Sequence, residues 1–273
     1  MLKTRLITAF FLLAGCLPAL FYLPQLGWGV LAAGVAGLAA WEWGGFLRAS
    51  APARLGFGLA MTAVCLAVLL GFPALFNVGD AGFNPAPLLP AYLLAGAFWV
   101  LLVPLWMRQR WQIEVGFPGY LAGCVVIFPT WLALVQLRGE DLRLLLFALV
   151  LVWIADVAAY FSGRRFGRRK LAPSISPGKT WEGAVGATLV VLLIGGAVIQ
   201  AQQLSWLWLL VLPVWTAVSI VGDLFESLLK RQAGIKDSSQ ILPGHGGILD
   251  RIDSQTSTLP LVALIWLLIR SGT

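Results

Sequence analysis

The residues best suited to chemistry cluster in the last third of this 273-residue chain. Asp223, Ser227 and Lys230 stand at i, i+4 and i+7, so on a helix they share one face. Asp250 and Asp253, at i and i+3, point together if another helix begins there. Hard cations such as Mg²⁺ take oxygen ligands from carboxylates and substrate phosphates, while lysines neutralise developing charge. The pattern therefore indicates metal-assisted phosphoryl or nucleotidyl transfer.

A glycine-rich loop connects these two stretches of sequence. Gly244, Gly246 and Gly247 surround His245, which is the only histidine in the chain. Glycine allows a loop to turn tightly and to bring its backbone N–H groups close to an anion. A single histidine in such a turn fits a structural role as well as a substrate contact, and both interpretations stay open. The cations near this loop are Lys230, Arg231, Lys236 and Arg251.

A second polar segment, between residues 156 and 183, is rich in basic residues. Basic residues beside a membrane span favour one topology and contact anionic lipid headgroups, which accounts for part of the run Arg164–Lys170. This explanation does not cover Ser176–Gly183, whose polar residues lead directly into an apolar stretch. The Gly-Lys-Thr sequence within it imitates the end of a P-loop, but Pro173 stands where the first glycine of that motif belongs. We therefore reject a P-loop here.

The elements that must position these residues are membrane helices. Hydrophobic residues make up 59% of the chain and charged residues only 11%, whereas a soluble domain is about a quarter charged. A membrane span needs roughly 20 mainly apolar residues. The sequence predicts an all-α polytopic bundle of about nine transmembrane helices, near residues 6–25, 28–47, 55–76, 87–107, 116–137, 142–162, 183–202, 205–229 and 255–270.

The placement of basic residues supports this count and gives the chain a direction. With a cytoplasmic N-terminus, sixteen of the nineteen Lys and Arg residues fall on the inner side. The three outside are Arg138, Arg143 and Arg270. The positive-inside rule therefore predicts a multi-pass inner-membrane protein with its N-terminus inside and its C-terminus outside.

The first span has a competing interpretation. Lys3 and Arg5 before an apolar run resemble a signal peptide, and the residues up to Cys16 look like a lipoprotein cleavage box. The apolar run continues past Cys16 to Leu23, where a lipoprotein would turn polar. We therefore expect a retained first helix.

Four acids fall inside the predicted spans: Glu42, Asp156, Asp223 and Glu226. An ionisable residue within a span is costly and indicates function by default. All four lie near the cytoplasmic ends of their spans, which predicts one shared site, since a proton path would spread them across the bilayer. We divide the chain into N-terminal and middle transmembrane helices, residues 1–137, and a C-terminal catalytic membrane region, residues 138–273.

The two polar segments resemble those of the bacterial phosphatidate cytidylyltransferase, or CDP-diglyceride synthetase, family. The family signature runs Ser-x-x-Lys-Arg, then Lys-Asp, then Pro-x-His-Gly-Gly-x-x-Asp-Arg-x-Asp. It is matched without a gap by Ser227, Lys230, Arg231, Lys236, Asp237, Pro243, His245, Gly246, Gly247, Asp250, Arg251 and Asp253. The segment from Asp156 to Gly183 resembles a second family block, and Glu42-Trp43 resembles a short feature of the N-terminal half.

The resemblance implies a transferase of phospholipid biosynthesis that converts CTP and phosphatidate into CDP-diacylglycerol and diphosphate, at a site on the cytoplasmic side. It implies Mg²⁺ held by Asp223, Asp250 and Asp253, with a second ion that is Mg²⁺ or K⁺. The catalytic set would be Asp223, Ser227, Lys230, Asp250 and Asp253. The substrate-binding set would be Arg164, Lys179, Thr180, Arg231, Lys236, His245, Gly246, Gly247 and Arg251. The implied partners are CTP, phosphatidate, membrane lipids and a second copy in a homodimer, with no nucleic acid.

Other functions stay open at this point. A polytopic transporter for anionic lipids or phosphate would use intramembrane acids for coupling ions, although the clustering of the acids on one side argues against it. Another CTP-dependent lipid enzyme, such as a lipid kinase, is a second alternative. A CDP-alcohol phosphotransferase fits less well, because the spacing of its acidic motif is missing.

The charge distribution gives a first testable expectation. A reporter fused after Thr273 should be periplasmic, and one inserted within Arg164–Lys179 should be cytoplasmic, because the positive-inside rule places them on opposite sides. Paired alkaline phosphatase and fluorescent-protein fusions measure this directly. Two reporters on the same side would contradict the nine-span topology.

Overall fold

The computed structural model describes residues 2–80, 82–203 and 205–271, so Thr273 lies outside the described residues. Over these ranges the chain is mainly helical, with one small hairpin. The α-helices are α1 (Leu2–Tyr22), α2 (Gln25–Phe46), α3 (Ala51–Gly71), α4 (Leu89–Ala97), α5 (Val103–Gln109), α6 (Phe117–Glu140), α7 (Leu142–Phe166), α8 (Trp181–Ala201), α9 (Trp208–Ala233) and α10 (Leu249–Ser271). Short 3₁₀ turns cover Pro73–Phe76 and Ala86–Leu88.

A π-helical turn, Phe98–Leu102, joins α4 to α5 without a break, so the described ranges contain nine long helical segments. They lie where the sequence predicts nine spans. Seven are long and apolar enough to cross a membrane: Ala51–Gly71, Ala86–Gln109, Phe117–Glu140, Leu142–Phe166, Trp181–Ala201, Trp208–Ala233 and Leu249–Arg270. The polytopic helical membrane bundle is therefore confirmed, while the number of crossings and the orientation stay predictions.

The last segment begins earlier than its predicted range of residues 255–270, although the sequence also indicates a start nearer Asp253. In the structure it begins at Leu249. The sequence underestimates this helix because Ser254–Thr258 interrupts the apolar run with polar residues. These five side chains are buried inside the bundle, where Ser254, Ser257 and Thr258 hydrogen-bond to backbone carbonyls. They therefore do not face lipid, and the helix continues through them.

Contacts between helix termini sort the segments onto two ends of the bundle. At one end, Arg138 of α6 donates hydrogen bonds to Leu20 near the end of α1 and to Leu23 in the turn that follows. At the same end, Arg270 of α10 pairs with Glu140 of α6. At the other end, Arg48, which follows α2, donates to the backbone oxygen of Gln232 in α9. Successive segments alternate in direction, as an antiparallel bundle requires. The polar segments predicted to do chemistry meet at this second end.

An aromatic cluster fixes the rotation of α9. Phe225 packs edge-to-face against Trp99 of the π-helical turn and against Trp106 of α5, at ring-centroid distances of 5.7 and 5.5 Å. Phe225 is buried on the face of α9 that packs against these two tryptophans. Asp223 and Lys230 therefore lie on a different face of the helix. The apolar core around Phe225 includes residues from both sides of residue 137. The division of the chain into residues 1–137 and a catalytic region of residues 138–273 stays a prediction.

A two-stranded antiparallel hairpin, which was not predicted from the sequence, lies between α7 and α8. Its strands are β1 (Lys170–Ala172) and β2 (Ser176–Thr180). Ile175 at the turn is buried against Leu224 and Leu228 of α9. Arg110 donates a hydrogen bond of 2.9 Å to Ser174 on the same turn. The hairpin is thus anchored to α9. This contact fixes the position of Lys179, which lies near the end of β2.

Close packing of α9 on α10 gives a prediction about stability. A Cβ atom on Gly222 would lie 2.5 Å from Ser257 Oγ and 2.7 Å from the backbone oxygen of Asp253. Gly222→Ala should therefore force the helices apart, at a cost of roughly 1–3 kcal/mol for overpacking, and lower the melting temperature in detergent. Gly56→Ala is the matched control, because a Cβ on that helical glycine meets nothing within 4 Å. Equal melting temperatures for the two variants would contradict this close contact.

Candidate active site

A cavity of about 610 Å³ opens at the second end of the bundle, between α7, α8, α9, α10 and the hairpin. This volume lies within the range of small-molecule sites, roughly 300–1,000 Å³. The acids on its wall are Asp156, Asp223, Asp237, Asp250 and Asp253, and the bases are Arg164, Lys179, Lys230 and Arg251. A wall that carries both signs of charge is suited to holding phosphate groups and cations together.

The face of α9 predicted from helical spacing is confirmed. Asp223 and Lys230 both line the cavity, and Ser227 donates a hydrogen bond of 3.3 Å to Asp223 Oδ1. Lys230 extends across to α10, where its ammonium group lies 2.6 Å from Asp250 Oδ1. Within α9 the same ammonium group also pairs with Glu226 at 3.2 Å. Lys230 therefore links the two helices that carry the candidate acids.

The hairpin brings the second polar segment onto this face. Lys179, near the end of β2, forms an ion pair with Asp223. About a quarter of each side chain is exposed, so both groups remain accessible from the cavity. Arg164, at the end of α7, lines the same cavity and donates a hydrogen bond to the hydroxyl of Tyr160. The two segments singled out in the sequence thus converge at one site.

Asp250 is the most heavily hydrogen-bonded acid on the cavity wall. Its Oδ1 accepts from Lys230, and its Oδ2 accepts the backbone N–H groups of Ser238 and Gly247, both at 2.8 Å. The loop N–H groups were expected to meet an anion, and in this structure Gly247 meets the carboxylate of Asp250. A Cβ on Gly246 would lie 2.6 Å from Asp250 Oδ2, so this position needs glycine. Substrate binding by Gly246 and Gly247 stays a prediction.

The predicted pairing of Asp250 with Asp253 is confirmed by the position of Asp253. It lies near the start of α10 and lines the cavity with Asp250. The carboxylates of Asp156, Asp223 and Asp253 interact electrostatically with one another and with Lys179. Asp156 was absent from the catalytic set predicted from the sequence, although its position inside a span marked it as functional. Asp237, also outside that set, lies on the wall as well.

Some predicted substrate-binding residues lie off the cavity wall. Arg231 and Lys236 are exposed and His245 is partly buried, and none of the three lines the cavity. The Nδ1 atom of His245 is buried and has no hydrogen-bond partner within the described ranges. Thr180 does line the cavity, and its hydroxyl accepts the N–H of Gly183 at 3.1 Å as the N-cap of α8. Part of its role is therefore structural.

The carboxylates on the cavity wall are candidate ligands for a metal ion. Among the described residues, no three Asp, Glu, His or Cys side chains converge as ligands around one point. Lysine ammonium groups pair with two of the acids, Lys179 with Asp223 and Lys230 with Asp250. The donors are all carboxylate oxygens facing a polar cavity, which is the ligand type that Mg²⁺ takes. The donor type of Asp223, Asp250 and Asp253 is therefore the one that Mg²⁺ takes, but the described structure does not bring the three around one point, and their role as ligands stays a prediction.

The chain is similar in sequence to a known protein family over nearly its whole length. A model of the cytidylyltransferase family matches residues 3–269. A phosphatidate cytidylyltransferase of Pseudomonas aeruginosa is 41% identical, with 97% of each chain covered. Another, of Haemophilus influenzae, is 36% identical over 97% of this chain and 99% of that protein. Since the family model and both relatives span nearly the whole sequence, the chain belongs to the cytidylyltransferase family.

Proposed function

We propose that this protein is a phosphatidate cytidylyltransferase, which makes CDP-diacylglycerol and diphosphate from CTP and phosphatidate. The observation that carries the proposal is the ion pair between Lys179 and Asp223. It joins the two family-like segments, which are separate in sequence, across one polar cavity. The names of the relatives that align end to end support the same reaction.

In the proposed reaction, a phosphate oxygen of phosphatidate attacks the α-phosphorus of CTP. A new P–O bond forms, the bond between the α-phosphorus and its bridging oxygen breaks, and diphosphate leaves with that electron pair. Lys179, Lys230, Arg164 and Arg251 line the cavity and would neutralise the negative charge of the two substrates. Their contribution is binding and orientation, because two polyanions must be held in reacting geometry against their mutual repulsion.

The acids have a separate proposed role. Asp223, Asp250 and Asp253 would hold Mg²⁺, which would supply positive charge to offset the negative charge that develops on the phosphate groups. A second ion, Mg²⁺ or K⁺, belongs to the same proposal. Ser227 would keep Asp223 oriented through its hydrogen bond. Lys179 pairs with Asp223 and Lys230 pairs with Asp250, and both lysines are themselves positioned for the phosphates.

The position of the cavity fits a lipid substrate and a soluble one. It lies at the end of the membrane helices, where a phosphatidate headgroup is reached from the bilayer and CTP from water. We propose that this end faces the cytoplasm in a bacterial inner membrane, because the basic residues cluster there. A homodimer is part of the proposal on family resemblance alone.

The test is a labelling experiment with the full-length protein in detergent, phosphatidate and Mg²⁺. Label from [α-³²P]CTP should enter the lipid fraction, and label from [γ-³²P]CTP should not, because diphosphate leaves. EDTA should abolish the incorporation. Lipid labelled only from the γ position would identify a lipid kinase and overturn the proposal. Phosphate or lipid transport without labelling would point instead to the transporter.

The proposed metal ligands give a mutational prediction. Asp223→Asn keeps the size of the side chain but removes its charge, and the rate should fall about a hundredfold or more, since a lost ligand costs several kcal/mol in the transition state. Asp250→Asn should behave similarly. Asp80→Asn, in an exposed loop, is the matched control. Rates come from the α-label assay, with melting temperature as a check on folding.

One outcome would contradict the assignment of these acids as metal ligands. If Asp223→Asn and Asp250→Asn both kept near-normal, Mg²⁺-dependent synthesis, the metal assignment would be wrong while the reaction itself could stand.

The hairpin lysine gives another prediction. Lys179→Ala should reduce kcat/KM by roughly tenfold or more, because a cation is removed from the phosphate-binding wall. Lys170→Ala, an exposed lysine at the start of the same hairpin, is the matched control and should retain activity. Unchanged kinetics of Lys179→Ala toward both CTP and phosphatidate would leave this segment with a role in topology alone.

A further inference from the structure

Glu42 is a buried acid that the proposed reaction does not use. It lies near the end of α2 with 0% of its surface exposed, and it does not line the cavity. Among the described residues, no lysine or arginine forms a salt bridge with it. A buried carboxylate without a cation is strongly unfavourable unless hydrogen bonds replace its hydration. Its surroundings must therefore supply several donors.

The four donors all come from the loop between α9 and α10 and from its junction with α10. Glu42 Oε1 accepts from the Ser239 hydroxyl at 2.5 Å and from the Ile248 N–H at 2.9 Å. Its Oε2 accepts from the Leu249 N–H at 2.7 Å and lies 3.1 Å from Ser238 Oγ. The Leu249 N–H opens α10, where helical N–H groups lack partners of their own. A residue of the N-terminal half thus binds both ends of this loop.

The same loop segments hold Asp250. Ser238 Oγ stands between the two acids, 2.9 Å from Asp250 Oδ2 and 3.1 Å from Glu42 Oε2. The Gly247 N–H donates to Asp250, while a Cβ on Gly247 would collide with Glu42 and Ser238. Any shift of Glu42 is therefore transmitted to the groups that orient Asp250.

We propose that Glu42 is a positioning residue for the reaction: it clamps the loop of residues 238–249 so that Asp250 faces the cavity. The inference rests on the proposed function, because it gives Asp250 its role. Glu42 does not line the cavity and acts through Ser238 and Gly247. In consequence the N-terminal half of the chain supplies part of the active-site geometry as well as membrane anchoring.

The clamp requires a carboxylate. Each oxygen of Glu42 faces one backbone N–H, Ile248 on one side and Leu249 on the other. Neither backbone donor can rotate away. In Glu42→Gln the side-chain NH₂ group must therefore point at one of them and leave a buried donor without an acceptor. The loop should loosen on that side while the shape of the side chain is kept.

The test combines kinetics with hydrogen–deuterium exchange of the full-length protein in detergent. Glu42→Gln should lower kcat by about tenfold to a hundredfold, with a smaller change in the KM for CTP, since misplacement of a reacting group acts mainly on turnover. Backbone exchange should rise within residues 238–252 and stay unchanged in α6. Ser239→Ala, which removes one donor and no contact to Asp250, should give a smaller effect in the same direction.

Glu140→Gln, at the opposite end of the bundle, is the matched control and should change neither turnover nor exchange in the loop. Unaltered kcat in Glu42→Gln, or unaltered exchange in residues 238–252, would overturn the proposal. Exchange that rises throughout the bundle would also overturn it, because Glu42 would then be a general packing residue. The exchange result does not depend on the reaction, so a failed labelling assay of the unsubstituted protein would refute the proposed function separately.

Discussion

The structure of the site depends on one constraint: each buried carboxylate must have hydrogen-bond donors or cations around it. Acids inside a membrane bundle are stable only when hydrogen-bond donors or cations replace water. Asp250 meets this need with Lys230 from α9 and with backbone donors from the adjoining loop. These bonds tie α9, the loop and α10 into one unit. The hairpin joins that unit through Lys179 and Asp223, so four separate parts of the chain are held by a few charges.

Much of this could be predicted from the sequence because it follows from helical periodicity. The spacing of Asp223 and Lys230 placed both on one face, and the apolar runs located the helices. Glu42 was flagged as costly, but its partners lie about 200 residues away, and periodicity carries no information about such contacts. The hairpin was missed because Ser176–Thr180 contains Pro and Gly, which are depleted in strands. Burial of Ile175 against α9 stabilises it instead.

Helix α2 illustrates why composition alone leaves the number of crossings open. It is long, yet it is not among the seven helical segments of the described chain that are long and apolar enough to cross a membrane. Many of its residues, including Trp43 and Glu42, are packed against other helices. A helix surrounded by protein needs less lipid-facing apolar surface.

The pairing of Lys179 and Lys230 with acids has a consequence for selectivity. At rest each of these two ammonium charges is cancelled by a neighbouring carboxylate, so the two lysines offer little attraction to a lone anion such as inorganic phosphate. A small anion could bind to either lysine only by breaking its ion pair and leaving a carboxylate exposed to repulsion. A nucleotide that arrives with a divalent cation offers a new partner to both members of a pair at once. At these two lysines, mutual neutralisation would thus favour a substrate that arrives with its own cation over a lone anion.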